Sequence, residues 1–204
     1  VTEASKIGVP IIISTGMCFK KEINKTYKIA KKFNKSGVAL LKCTSLYPAS
    51  DNTINLLAIK NFINAFKIPI GYSDHTKDNL ASLLAVNLGA KIIEKHFTLN
   101  KKQQGIDHKF SSEPKELKTL IGDVRRTEVM MGSSLIKPHN KEIPNRNKYF
   151  RNILAMKNIA KHEKLTISNI ALKRSLNYQT SLSPKYFYQI LGKRAKRNIQ
   201  IDEK

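Results

Sequence analysis

"IPIGYSDHTKDNLASLLAVNLGAKIIEKHFTL", residues 68–99, is the stretch that decides the fold. It reads as strand, helix, strand. "IPIGYSDHT" is a short apolar run with a polar tail. "DNLASLLAVNLGA" has the apolar density of a packed helix, with Gly89 where a closing glycine belongs. "KIIEKHFTL" is a second strand-like run. Both runs end on a histidine, His75 after Asp74 and His96 after Lys95. A side chain at a strand's end points into the space beyond the sheet. Two histidines on neighbouring strands can share that space and a ligand in it; the residues alone fit equally the plainer reading of two polar strand ends.

The same unit repeats on either side. "VPIIISTGM" (9–17) is β-branched without a period, as expected of a strand buried on both faces. In "KKEINKTYKIAKKFNKSG" (20–37), Ile23, Tyr27, Ala30 and Phe33 recur at helical spacing, and Gly37 is read as the closing glycine. "VALLKCTSLYP" (38–48) is a strand, and "NTINLLAIKNFINAF" (52–66) a helix with Ile54, Leu57 and Phe62 on its apolar side. "PKELKTLIGDVRRTEVMMG" (114–132) is a fourth helix, with Pro114 in its first turn. Four β-then-α units in series predict parallel strands joined by right-handed crossovers. The tails "STG", "TSLYP", "SDHT" and "KHFT" then share the C-terminal edge of the sheet, where α/β folds bind ligands.

"IKPHNKEIPNRNKYFR" (136–151) breaks the pattern with two prolines and many polar residues, and is read as a linker. Beyond it, "ILAMKNI" and "IALKRSL" are β-like, and "SPKYFYQILG" is a short helix. The expected organisation is a barrel-type α/β part over 1–135, a linker over 136–151 and a small β-rich domain over 152–204.

Composition narrows the function classes. The 204 residues carry 37 Lys and Arg against 15 Asp and Glu, a net charge of +22. The lysines are spread along the whole chain among abundant Asn and Ile, without zinc-finger spacing or an RNA-binding aromatic pattern, so no nucleic-acid partner is expected. No apolar run approaches the ~20 residues that span a bilayer, so no membrane partner is expected either. No signal-peptide pattern opens the chain. Cys18 and Cys43 each follow a strand-like run and read as reduced thiols of a cytoplasmic protein. Ser14, Thr15, Gly16 and Ser73 suit hydrogen bonds to an anion's oxygens, and suit ordinary turns equally well. Asp107, in "QGIDHK", fits an active-edge carboxylate or an Asx turn.

Taken in order, "IISTGM", "KCTSLYP", "GYSDHT", "GAKIIEKHFTL" and "GIDHKFSSEP" resemble the N-acetylneuraminate (sialic acid) synthase family. "LAMKNIAKHEKLTISNIALKR" and "LSPKYFYQILGKRAKRNI" resemble that family's antifreeze-like SAF domain. The resemblance implies strands five to eight of a (β/α)8 TIM barrel followed by a SAF domain. A four-stranded half cannot close into a barrel, so an N-terminally truncated piece is expected, with the lone chain inactive. In a complete protein the resemblance implies a condensing synthase. It joins phosphoenolpyruvate (PEP) to an N-acylated hexosamine, such as N-acetylmannosamine or a bacillosamine-derived sugar, giving a nine-carbon ulosonic acid and phosphate.

The resemblance also implies roles for individual residues. His75 and His96 match metal ligands for manganese or magnesium. Asp74 and Glu94 stand close enough in sequence to serve as supporting carboxylates that orient an imidazole, a reading of the residues themselves, and Glu94 and Asp107 are the catalytic candidates. Ser14, Ser73 and Ser45 match PEP-side groups, though some members carry Asn in place of Ser45. Tyr47 and Asp107 lie near the amino sugar, and Arg174 reaches the partner subunit's site in a domain-swapped homodimer. Ser175 and Leu176 stand where the family usually has Pro-Gly, and His162 where a turn glycine is common. "DHK" (107–109) is closer to the sialic and legionaminic acid branches than to the pseudaminic one. The alternatives are an N,N'-diacetyllegionaminate or pseudaminate synthase, or an inactive fragment whose SAF domain serves as a binding or dimerisation module.

Overall fold

The computed structural model describes residues 1–174 and 182–203, with all of their side chains except those of 146–148. The chain divides into two compact units, Val1–Ser133 and Ser134–Lys204.

The first unit opens with a short helix, α1 (Thr2–Lys6), and then alternates strands and helices: β1 (Ile11–Ser14), α2 (Lys20–Phe33), β2 (Val38–Cys43), α3 (Ala58–Phe66), β3 (Ile70–Asp74), α4 (Leu80–Asn87), β4 (Ile92–Lys95) and α5 (Pro114–Met131). The four strands form one sheet in the order β1-β2-β3-β4, and every pairing is parallel. The register places Leu40 beside Ile70, Tyr72 beside Ile93, and Ser73 beside Glu94. Side chains alternate along a strand, so Leu40, Lys42, Ile70, Tyr72 and Asp74 share one face. Ser14, Cys43, Ser73 and Glu94 share the other.

The first of these faces carries the core. Leu40, Ile70 and Tyr72 pack against Ile23 of α2, Ile59 and Phe66 of α3, and Ala81 and Ala85 of α4. Apolar burial of this kind is the main stabilising term in folding. Local chemistry sets the helix ends. Pro114 stands in the first turn of α5, and the Glu116 carboxylate accepts from the Glu113 N–H at 2.9 Å. Lys101 hydrogen-bonds Glu116 as well, tying the loop after β4 onto α5. Those hydrogen bonds hold the Glu116 carboxyl below the usual carboxylate range, the Lys101 side chain having the larger effect.

Several expectations change. Gly89 does close α4, with φ at +103°. Gly37, however, does not close α2. That helix ends at Phe33, and Asn34 caps it by accepting from the Ser36 and Gly37 N–H groups, each at 2.9 Å. The "NTINLL" segment is a 3-10 turn (Asp51–Thr53) followed by a bend, because Asn55 takes a positive φ. Leu57 therefore precedes α3 and lies exposed instead of facing the core. Phe33 also sits at the surface, under the Lys6 and Lys32 ammonium groups.

The second unit holds a two-stranded antiparallel sheet, β5 (Arg151–Ala155) with β6 (Ile170–Arg174). Ile153, Ala155, Ile159, Ile170 and Ala195 form its core. Residues 136–151, read as a linker, carry a 3-10 turn (Asn140–Glu142) and a short helix, α6 (Ile143–Tyr149). Phe187–Ile190 forms the last helix, α7. His162 adopts the left-handed backbone expected where a turn glycine is common, with φ at +68°. Ser175 and Leu176 lie outside the described residues.

Two substitutions test the sheet. A Cβ at Gly71 would overlap Leu41 Cδ2 and come within 2.5 Å of the Ile92 carbonyl oxygen. Gly71→Ala should therefore lower stability by about 1–3 kcal/mol in denaturant melts. Tyr72 is fully buried, and its hydroxyl has no hydrogen-bond partner among the described residues. Burial, reinforced by the Asp74 carboxylate, pushes its phenol well above the ordinary tyrosine value. Tyr72→Phe should leave stability unchanged or raise it by about 1 kcal/mol in the same assay.

Candidate functional site

The geometry starts with the residues that precede the two histidines. Asp74 ends β3 and Lys95 ends β4, in register with each other. Both lie on the helix-packed face and are buried, and Lys95 Nζ donates to Asp74 Oδ2 at 3.0 Å. Asp74 also accepts from Ser82 Oγ at 2.6 Å and from the Thr76 N–H and hydroxyl, each at 2.8 Å. Lys95 donates further to the Thr76 and Asp78 carbonyls, at 2.9 and 2.8 Å. The sequence reading gave Asp74 the task of orienting an imidazole. That is corrected: its carboxylate is used up on the opposite face, in the strand-end network.

The next residue on each strand turns to the other side. The His75 and His96 rings lie 5.2 Å apart between centroids, at 68°. His75 Nδ1 is 2.8 Å from the Thr44 carbonyl oxygen. A carbonyl can only accept, so the proton sits on Nδ1 and the lone pair on Nε2. Ser73 Oγ lies 3.4 Å from that Nε2, but its one proton goes to Glu94 Oε1 at 2.7 Å. His75 Nε2 is thus left available. His75 itself is buried, at 6% exposure.

Glu94 does not orient a histidine either. Its Oε1 accepts from Ser73 and, at 3.5 Å, from Ser14. Three predicted residues, Ser14, Ser73 and Glu94, therefore meet on one face of the sheet. Thr15 does not join them. Its hydroxyl and its N–H both go to the Leu41 carbonyl, at 2.8 and 3.1 Å, which spends them on the β1–β2 junction. Gly16 packs against Ser45. A Cβ there would collide with the Ser45 hydroxyl and lie 3.2 Å from Cys43 Sγ.

An aromatic wall stands beside the histidines. The Tyr47 ring lies 4.3 Å from His75 and 5.7 Å from His96. Phe110 lies 5.1 Å from His96 and 5.9 Å from Tyr47. Asp107 Oδ2 is 3.7 Å from His96 Nδ1, an ion pair when the ring is protonated. The turn at Asp107 uses its backbone carbonyl, which accepts from the Ser111 hydroxyl at 2.7 Å. The carboxylate stays on the histidine side. Arg174 belongs to the second unit, at the end of β6, where its guanidinium lies 5.8 Å from the Tyr149 ring centroid.

Sequence reasoning missed Thr44, whose carbonyl fixes the His75 tautomer, and Phe110. It missed the pairing of Asp74 with Lys95 too, although a signal was present: opposite charges in the position just before each histidine. A two-histidine donor set fits a divalent metal. His75 offers a free Nε2 and has its other nitrogen held by a carbonyl, the usual support of a ligating imidazole. Among the described residues no group of three or more His, Cys, Asp or Glu side chains is arranged to hold an ion by itself.

Comparison with known proteins gives the same direction. Residues 1–135 match the model of the NeuB family. The chain is 40% identical over 201 residues to an N,N'-diacetyllegionaminic acid synthase of Campylobacter jejuni, covering 98% of this chain and 59% of that protein. It is 32% identical to human N-acetylneuraminate-9-phosphate synthase, over 98% of this chain and 55% of that one. Its span is thus somewhat over half the length of these relatives. Among solved structures, the sialic acid synthetase of Leptospira borgpetersenii is 40% identical with a TM-score of 0.64, over 72% of this chain and 52% of that chain. The Bacillus subtilis spore coat polysaccharide biosynthesis protein spsE is 31% identical with a TM-score of 0.61, over 99% of this chain and 61% of that one. The parallel sheet with its helices is therefore a half-barrel of the kind found in sialic acid synthases, and the chain belongs to the NeuB family, the family of N-acetylneuraminate synthases.

Proposed function

We propose that this chain supplies strands five to eight of the (β/α)8 barrel and the SAF domain of a cytoplasmic sialic-acid-type synthase. The enzyme condenses PEP with an N-acylated hexosamine to a nine-carbon ulosonic acid and phosphate. The observation that carries the reading is the histidine pair: His75 with its Nε2 free, beside His96, at the C-terminal ends of β3 and β4.

His75 and His96 would hold a divalent ion, manganese or magnesium. When bound, that ion supplies Lewis acidity at the sugar's aldehyde oxygen. C3 of PEP forms the new bond to the aldehyde carbon. Water adds at C2, and phosphate leaves with cleavage of its bond to that carbon. Ser14 and Ser73 hold the phosphate once their hydroxyls turn from Glu94 to its oxygens, with Ser45 nearby on the β2 tail. Glu94 already accepts from both serines and is the acid–base candidate beside them. Tyr47 covers one side of the histidines, and Asp107 faces the sugar's end of the site. Arg174 places the sugar from the partner chain of a domain-swapped dimer, its planar fork suited to hydroxyl and carbonyl oxygens.

A second reading keeps this chemistry and changes the sugar. The relatives that make N,N'-diacetyllegionaminic acid share more identity with the chain than those that make N-acetylneuraminate 9-phosphate. Comparing turnover of N-acetylmannosamine with that of a diacetamido hexosamine decides between the two readings.

In the protein with its barrel complete, His75→Ala or His96→Ala should cut phosphate release from PEP by on the order of a hundredfold or more. The circular dichroism spectrum should stay unchanged. Full activity in either variant removes both residues from the site.

Arg174→Ala should raise the sugar's KM and leave the KM for PEP close to its original value. The expected loss is about 1.5–3 kcal/mol, roughly ten- to a hundredfold in kcat/KM. Mixing Arg174→Ala chains with His75→Ala chains should restore part of the activity, because one site of a swapped dimer then keeps both residues. No recovery after subunit exchange would place Arg174 at its own chain's site or outside either.

A further inference from the structure

The ends of β3 and β4 carry "Asp-His" and "Lys-His". The charged members form the most enclosed ion pair described in the chain, with side-chain exposure of 4% and 0%. Every acceptor and donor in this network is engaged. Asp74 receives four hydrogen bonds, from Ser82, Lys95 and twice from Thr76. Lys95 gives three, to Asp74 and to the Thr76 and Asp78 carbonyls. The two loop carbonyls matter most. They belong to the turn that leaves His75, so Lys95, at the end of the neighbouring strand, holds the backbone on the far side of that histidine. From the near side, the His75 carbonyl accepts from the Ala49 N–H at 2.9 Å.

An ion pair this deeply buried adds little to stability compared with a well-packed apolar pair, because desolvating both charges costs about as much as their attraction returns. Its measurable contribution here is geometric. Alternation fixes the consequence: with Asp74 and Lys95 locked together on the helix side, the next residues, His75 and His96, emerge side by side on the other. The position of each ring depends on the register of the charges behind it.

We propose that the Asp74–Lys95 pair, through the Thr76 and Asp78 carbonyls, is the positioning device that sets the spacing of His75 and His96 and keeps the His75 ring against the Thr44 carbonyl that fixes its tautomer. Neither residue touches the ligand. The functional consequence rests on the reading of the two histidines as a metal-holding pair, and the experiment separates the two ideas.

The test replaces both charges together, Asp74→Leu with Lys95→Met, a change that leaves no buried unpaired ion. Thermal melting should remain cooperative, with Tm lowered to the extent that the buried Thr76 and Ser82 donors lose their acceptor. Binding of Mn(II), followed by electron paramagnetic resonance of the free ion, should weaken by about ten- to a hundredfold, as expected when the outer support of a ligand is lost. Long-range proton–nitrogen spectra of the imidazoles should show one tautomer for His75 in the parent and an average of two in the variant. Should the double variant fail to fold, Asp74→Asn keeps the shape and leaves Lys95 its two carbonyls, and should show the same changes in smaller measure. Parent-like Mn(II) affinity together with a single His75 tautomer in the folded variant overturns the proposal. His75→Ala tests the metal reading by itself. If it binds Mn(II) as well as the parent does, that reading falls, and the tautomer spectra alone decide whether the pair positions the ring.

Discussion

The buried contact between Asp74 and Lys95 is the constraint on which the arrangement of the C-terminal edge of the first unit's sheet depends. It joins the ends of two neighbouring strands behind the sheet and reaches the loop after β3 through two carbonyls. Such a pair contributes direction more than stability, since its desolvation offsets most of its attraction. Every hydrogen-bonding position of Asp74 being occupied, it has one low-energy arrangement. The two imidazoles inherit that definition because they are the next residues along.

The same alternation separates the work of the two faces. One face is apolar and covered by helices: Leu40, Ile70 and Tyr72 meet Ile59, Phe66, Ala81 and Ala85 there. The other gathers Ser14, Ser73 and Glu94, with the histidine rings just beyond the strand ends. Gly71 keeps β3 close to its neighbours, since its missing side chain is the space that Leu41 and the Ile92 carbonyl fill. Thr15 illustrates the division from another side, as a hydroxyl at the C-terminal edge of the sheet that is spent on joining strands.

Much of this is legible in the sequence because period and punctuation are strong local signals. The β-branched run at 11–14 and the helical spacing of Ile23, Tyr27 and Ala30 each specify their element. Gly89 closes its helix as read. Failures occur where a side chain competes with the backbone pattern. Asn34 ends α2 before Gly37 is reached. Asn55 bends the chain so that Leu57 falls outside α3. In the site, residue types were legible and their partners were not. Which acceptor holds His75 is decided by Thr44, thirty-one positions earlier in the chain, and no spacing rule connects the two. Asp74 stands one place before its histidine and Glu94 two, so strand alternation sends them to opposite faces. That offset is legible in the sequence; which partners each carboxylate meets is not.

The two-sided sheet bears on how such a protein can change over generations. Residues on the helix side are bound by close packing, where the loss of a methylene or two costs a sizeable part of the total stability. Ser14, Ser73 and Glu94 contribute no apolar contacts to the core cluster. Exchanging them would leave that apolar core in place, although Ser73 is itself buried and bonded to Glu94. Ser45, on the β2 tail, is more constrained, because it packs closely on the bare backbone of Gly16. The polar side of the sheet can therefore be revised one side chain at a time with less loss of packing than the helix side of the same four strands.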